Sequence, residues 1–315
     1  MAQKFQSTFF GGLDVDFEHD AQIGAMTNFA IGGRADVLVT PRSTDALSLL
    51  MRRCHNSGTP VHILGKGQNL LVDDIGVEGV IVHLAAECFK THAFRRNEQQ
   101  DTLHAMAGAD LATVLMDSTR RGFEGLTSMA GIPATIGGAI RMNAGGKYGK
   151  ISDHLETVTC LLANGDLVTY SASELEFDYR TSSLPAPVVL SASFAVEESD
   201  PVEVRKRVKE IFKWKKTRQP LAESSAGCAF KNPLNNNGER VSAGLLIDQS
   251  GLKGLTVGGA SVSEHHANFI VTSPSATARH VIDLMDEIQM RVLDATGIQL
   301  HNEVVIWSRD EATSR

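Results

Sequence analysis

Cys228 stands between Gly227 and Ala229 in the run Ser224-Ser-Ala-Gly-Cys-Ala-Phe-Lys-Asn-Pro233, where small neighbours leave a thiol accessible. An unperturbed thiol, with a pKa of about 8.5, can donate or accept a proton there. Lys231 and Asn232 follow it closely and add a cation and an amide, the groups an anionic, oxygen-rich ligand needs. A cysteine packed under a tight turn is the alternative reading. Arg180, in Asp178-Tyr179-Arg180, and Glu303, ahead of the apolar run VVIW, are two further ionisable candidates. Taken singly they read as a surface ion pair and a solvated carboxylate. Cys54, Cys88 and Cys160 read as small buried hydrophobes, and the four cysteines have neither metal-ligand nor disulfide-framework spacing.

Two glycine-rich stretches are the second candidate chemistry. GFEGLTSMAGIPATIGGAIRMNAGGKYG, residues 122–149, holds eight glycines, yet Ile132, Ile136, Ile140 and Met142 call for burial. Such density weakens helix and strand, but lets backbone lie flat against a ligand with N–H groups aimed at phosphate oxygens. A structural cluster of turns remains open. The shorter Gly65-Lys-Gly-Gln-Asn69 lacks the GxxxxGK[ST] of a P-loop and opens no GxGxxG helix, so alone it reads as a plain turn.

The elements that must hold these groups alternate strand and helix. Val37–Val39 reads as a strand and Thr44–Asn56 as a helix capped by Ser43. Strands at Val61–Leu64, Leu70–Val72 and Val80–Leu84 follow, then a strand at 102–107 and a helix from Ala109 to Arg120 stopped by Gly122. Asn164-Gly165 marks a hairpin, and Val188–Val196 a strand. Residues 203–216 form a strongly basic helix ended by Gln219-Pro220; this is a solvated face, or one whose last cations meet an anionic ligand. Ala243–Gln249, strands at Gly258–Val262 and Phe269–Val271, the amphipathic helix Ser275–Thr296 with Leu293 in its stripe, and the strand Val304–Trp307 complete the pattern. Residues 1–24 read as a loosely held acidic arm and the tail from Ser308 as disordered.

A chain of 315 residues can bury more than one core, and 42% hydrophobic with 21% charged residues is ordinary for a globular protein. The net charge of −7 argues against a nucleic-acid partner. With neither a signal-peptide core nor an apolar run of membrane length, a soluble cytoplasmic protein is expected.

In order, NFAIGG (28–33), LGKGQNLLV (64–72), GLTSMAGIPATIGGAIRMNAGG (125–146), DYRTS (178–182), SAGCAFKNP (225–233), AGLLIDQSGLKG (243–254), GGASVSEHHANFIV (258–271) and NEVVIW (302–307) closely resemble the UDP-N-acetylenolpyruvoylglucosamine reductase (UDP-N-acetylmuramate dehydrogenase) family. The resemblance runs from about residue 25 to 307, and the short interval between Arg180 and Cys228 matches the shorter, second type. It implies an α+β fold: two FAD-binding α+β subdomains of the PCMH/VAO type (about 25–86 and 100–200, within 25–200), and an α+β substrate-binding domain at 201–300. Residues 301–315 then return a strand to the flavin side and end in a polar tail.

The resemblance implies NADPH-dependent reduction of UDP-N-acetylglucosamine enolpyruvate to UDP-N-acetylmuramate. FAD is implied as a non-covalent cofactor with no metal, since neither glycine loop offers a His or Cys tether. By matching positions, Gly65, Lys66, Gly67, Gln68, Asn69 and Leu70 hold it together with Gly131, Ile132, Pro133, Gly137, Gly138, Ala139, Asn143 and Gly145. Cys228 takes the proton-donor position, a serine in many members, while Arg180 and Glu303 take two further active-site positions, Glu303 with a raised pKa. Tyr179, Lys216, Lys231, Asn232 and His266 are the implied substrate contacts. Thiol, guanidinium and carboxyl are expected to meet over one flavin face. Gln68 departs from the family, which has a small serine there. A monomer is expected, with neither nucleic acid nor membrane insertion. Another flavin-dependent oxidase or dehydrogenase, or a catalytically silent nucleotide-sugar-binding protein, remain the rival readings.

Overall fold

The chain folds into two compact units, each assembled from separated segments: residues 1–19, 36–66 and 79–215 in the first, 20–35, 67–78 and 216–315 in the second. The computed structural model describes residues 5, 7–96, 98–219, 224–235 and 237–310.

In the first unit, α1 (Thr44–Asn56) starts where the Ser43 hydroxyl accepts the Ala46 N–H at 3.1 Å, and buries Leu47, Leu50, Met51 and Cys54. A four-stranded sheet runs in the order Val15–Ala21, Ala35–Pro41, Val77–His83, Val61–Leu64. The acidic arm expected at residues 1–24 is therefore corrected over Val15–Ala21, which is a strand. Its sequence VDFEHDA lies at the sheet edge with most side chains out, so no apolar alternation announces it. Phe10 stacks on Phe17 at 4.5 Å and fixes the preceding turn. Residues 1–4 and 6 of that arm lie outside the described residues.

The long strand Val188–Glu198 carries a second, antiparallel sheet, pairing with Leu155–Leu161 on one side and Asp101–Met106 on the other. The expected hairpin at Asn164-Gly165 joins Leu155–Leu161 to Leu167–Ser171. α2 (Leu111–Arg121) is capped by Asp110 and stops at Gly122. The second glycine stretch holds a short helix, α3 (Ile136–Arg141), which composition alone gave no reason to expect. Gly137 belongs there by close approach: a Cβ would lie 2.9 Å from that of Ala107. α4 (Pro201–Lys216) is the basic helix; the Pro220 expected to end it lies outside the described residues.

The second unit packs α5 (Ala243–Gln249) and α6 (Ala278–Thr296) around Phe29, Leu71, Phe230, Ile288 and Ile306. α6 begins three residues later than its apolar pattern suggests. Thr277 caps it, and the Asp74 carboxylate accepts the N–H groups of Ala278 and Arg279 at 3.0 and 2.9 Å. Leu293, expected in its buried stripe, is instead exposed. The strand Val305–Trp307 lies parallel to Leu70–Val72. The tail expected to be disordered from Ser308 is tied down at its start: Ser308 donates to Asp73 at 2.7 Å, and the Arg309 N–H to the Gly76 carbonyl at 2.9 Å. Residues 311–315 of that tail lie outside the described residues.

Candidate active site

Within the first unit the two glycine stretches are fastened at the start of α2. The Asp110 carboxylate accepts the Thr113 N–H at 2.7 Å and pairs with the Lys66 ammonium, while Leu111 donates its N–H to Ala134 at 3.0 Å. Burial lowers the pKa of Lys66. The N–H groups of Ile136 and Gly137 donate to Ala109 and Ala107 at 3.0 and 2.9 Å, and that of Gly138 to Thr135 Oγ1 at 3.2 Å. The amides of Gly137 and Gly138, in the stretch expected to hold FAD, are thus engaged within the protein.

A flavin nucleotide fits what remains. A Cβ at Gly65 or at Gly138 would meet only the Thr135 side chain, at 3.0 and 3.2 Å, so both glycines border space that a flat ligand can occupy. Asn143, in left-handed conformation with φ +40°, is buried; its Nδ2 donates to Asp178 at 2.9 Å, and its Oδ1 finds no donor among the described residues. A buried acceptor left this way costs about 1–3 kcal/mol, so a ligand N–H or O–H there is favoured.

Arg180 sits at the tip of the hairpin formed by Phe177–Asp178 and Thr181–Ser182. Asn143 and Ser182 anchor that hairpin to α3 and its end, Ser182 donating to Arg141 at 2.8 Å. Arg180 has φ +57°, a conformation costing a non-glycine residue on the order of 1–3 kcal/mol. Its guanidinium donates to the Gly145 carbonyl at 2.8 Å and lies 5.3 Å from the Tyr179 ring centre. The hairpin thus holds a cation against the second glycine stretch.

Lys216, the implied substrate contact, is exposed, whereas Lys215 is buried with 7% of its surface accessible and donates to the Ala130 carbonyl at 2.6 Å. Burial first, then the Arg180 charge, push the Lys215 pKa down to about 8. Beside it Trp214 meets Tyr148 edge-on at 5.6 Å, with the Lys147 ammonium 5.4 Å from the indole centre.

In the second unit the Cys228 segment is held on both flanks. Cys228 bridges to Phe269, and Ala229 donates to Asn268 at 2.8 Å. The buried Asn268 side chain also accepts the Phe230 N–H at 2.9 Å and donates to the Phe230 carbonyl at 2.8 Å. Opposite, Glu303 donates its N–H to Ala229 at 2.8 Å, and Lys231 donates to His301 at 2.8 Å. Half-buried Cys228 and Glu303 therefore stand on adjoining backbone segments. Asn69 of the first glycine stretch fixes Glu303 in turn, its Nδ2 donating to the Glu303 carbonyl at 2.9 Å. Gln68 donates to Asn28 Oδ1 at 3.2 Å.

Asn232 directs its Oδ1 to the Ala243 N–H at 3.0 Å, at the start of α5. His266 accepts the Asn268 N–H at Nδ1, 3.2 Å, and burial lowers its pKa, which keeps the ring neutral with the proton on Nε2. Among the described residues no cluster of three or more His, Cys, Asp or Glu could hold a metal. Asp110, Thr135, Lys215 and Asn268 escaped the sequence reading. Asp110 and Thr135 carried local signals, each an N-cap type directly before the apolar residue that opens a helix.

A thiol and a carboxyl can exchange a proton with a substrate, and paired cations can stabilise negative charge on one. The family model described as UDP-N-acetylenolpyruvoylglucosamine reductase, C-terminal domain, matches residues 219–307, and that described as FAD binding domain matches 35–171. The UDP-N-acetylenolpyruvoylglucosamine reductase of Listeria innocua is 37% identical over 95% of this chain and 99% of its own. That of Clostridium tetani is 35% identical over 90% of each. The crystal structure of UDP-N-acetylenolpyruvylglucosamine reductase from Thermus caldophilus superposes with a TM-score of 0.75 at 34% identity, covering 93% of this chain and 98% of that one. The α+β fold carries an FAD-binding domain, and the chain belongs to the UDP-N-acetylenolpyruvoylglucosamine reductase family.

Proposed function

We propose that this flavoenzyme uses NADPH to reduce the enol ether of UDP-N-acetylglucosamine enolpyruvate, giving UDP-N-acetylmuramate for peptidoglycan synthesis. Bound FAD supplies the hydride chemistry. Gly65, Lys66, Ala139, Asn143 and Gly145, with their neighbours in the two glycine stretches, hold it. Arg180, fixed through the Gly145 carbonyl, stabilises the negative charge that reduction leaves spread into the substrate carboxylate. Cys228 delivers its thiol proton to the adjacent carbon and sets the stereocentre. Glu303, kept protonated, hydrogen-bonds the carboxylate, because an ionised carboxyl beside that charge would repel it. Tyr179, Lys216, Lys231, Asn232 and His266 are assigned to substrate binding.

The observation that supports this reading most is the double-sided pinning of the Cys228 segment by Asn268 and Glu303, which holds residues 228 and 303 on adjoining backbone segments. Among the described residues no helix is long and apolar enough to cross a membrane.

Anaerobic stopped-flow tests the function. NADPH should bleach the flavin band near about 450 nm, and the enolpyruvyl sugar nucleotide should restore it. A flavin that NADPH reduces but this substrate never reoxidises overturns the assignment. Glu303→Gln should lower kcat on the order of 10²-fold while substrate affinity stays within about threefold. An unchanged kcat makes Glu303 a bystander.

A further inference from the structure

The buried ammonium of Lys215 is not explained by the fold alone. Its oxygen partner is the neutral Ala130 carbonyl, and among the described residues no carboxylate forms an ion pair with it. A second cation, Arg180, acts on it through its charge. Taking a charge out of water beside a like charge is unfavourable in an isolated fold. It becomes favourable when an anion enters between or beside the two. The location is apt: a Cβ at Gly131 would lie 3.3 Å from the Lys215 Cδ, which places the lysine stem directly under the second glycine stretch.

We propose that Lys215 is an anion-binding residue of this site, a second cation beside Arg180 that takes an oxyanion of a bound ligand. The proposal rests on the flavin-dependent reductase reading, which supplies two sources for that group: a phosphate of FAD, or the carboxylate or diphosphate of the sugar nucleotide. The charged groups around the ammonium define its titration. Arg180 faces it from the 177–182 hairpin, and Lys147 with Tyr148 packs on Trp214 from the neighbouring turn. The Ala130–Gly131 turn contributes a carbonyl and no titratable side chain, and on α4 the adjacent Lys216 is exposed. The charges named here, those of Arg180 and Lys147, are positive, which favours an incoming anion.

The pH sign follows. Lys215 is depressed to about 8, so it is charged, and attracts the anion, below that pH. Above it the neutral amine loses the attraction, and affinity for the anion falls about tenfold per pH unit until binding no longer depends on the proton.

The test uses the full holoprotein in two arms between pH 6.5 and 9.5. In one, FAD release on dilution is read by flavin fluorescence. In the other, UDP-N-acetylglucosamine enolpyruvate is titrated through the flavin absorbance change. The wild type should show the break near pH 8 in one arm, and that arm identifies the source of the oxyanion. Lys215→Met should bind the same ligand about tenfold or more weakly at pH 7 and show no break. Lys215→Arg should keep the pH 7 affinity and carry it flat through pH 9.5, since a guanidinium stays charged. A break that persists in Lys215→Met, or wild-type affinities in both arms, overturns the proposal. If the methionine variant does not fold, persistence of the break in Lys215→Arg does so. Failure of the reductase reading is separately visible, as a substrate arm with no flavin change in any variant while the FAD arm still reports on Lys215.

Discussion

Cys228→Ala is expected to leave reduction of the flavin by NADPH at its wild-type rate and to lower turnover of the enolpyruvyl substrate by about 10²–10⁴-fold. The split follows from the role proposed for the thiol, which gives its proton to substrate carbon after the flavin has been reduced. Ala229 and Phe230 are pinned through their backbone to Asn268, so an alanine at 228 should leave the segment in place. The lost function is then the acid alone. Cys228→Ser keeps a donor, though a weaker acid, and should retain measurable turnover. Single-turnover traces of the two half-reactions decide the matter. Equal loss in both would place Cys228 in flavin binding and remove it from proton transfer.

Arg180→Met should cost about 10²–10³ in kcat, the usual loss when a fixed charge aimed at a developing anion is removed. The backbone at 180 already holds a left-handed conformation and the guanidinium is tied to Gly145, so the cation is preorganised. Arg180→Lys should recover little, because an ammonium cannot bond Gly145 and an oxyanion in the same planar geometry. The arginine also lowers the Lys215 pKa by its charge. Its removal should therefore move the break in ligand affinity from near pH 8 toward higher pH. A break that stays put would show that the two cations do not share a field.

Local signals in the sequence located elements well wherever one residue type decides the outcome. Ser43 starts α1, Asn164-Gly165 turns the hairpin, and α5 occupies the residues its apolar spacing suggests. They failed where the partner is remote. Val15–Ala21 is a strand because its backbone finds a sheet edge, which an exposed acidic sequence cannot signal. The Asp74 carboxylate reaches the first turn of α6 across 204 residues, so α6 starts later than its stripe implies. At the candidate site, the motifs pointed to Cys228, Arg180 and Glu303 by resemblance, and the fold supplies an anchor near each: backbone bonds for the Cys228 and Glu303 segments, and the Gly145 carbonyl for the Arg180 guanidinium. Lys215 was hidden in Lys213-Trp-Lys-Lys216. One step along a helix turns a side chain by about 100°, and nothing in a basic run says which lysine faces inward.

The ladder between Leu70–Val72 and Val305–Trp307 sets a timetable for a nascent chain. Asn69 and Glu303, which flank it, are separated by 234 residues, so ribosomes moving at about 5–20 residues per second need on the order of ten to fifty seconds to deliver the partner strand. Through that interval Leu71, sealed in the finished protein, has no ladder to join, and holdase chaperones have a defined window in which to act.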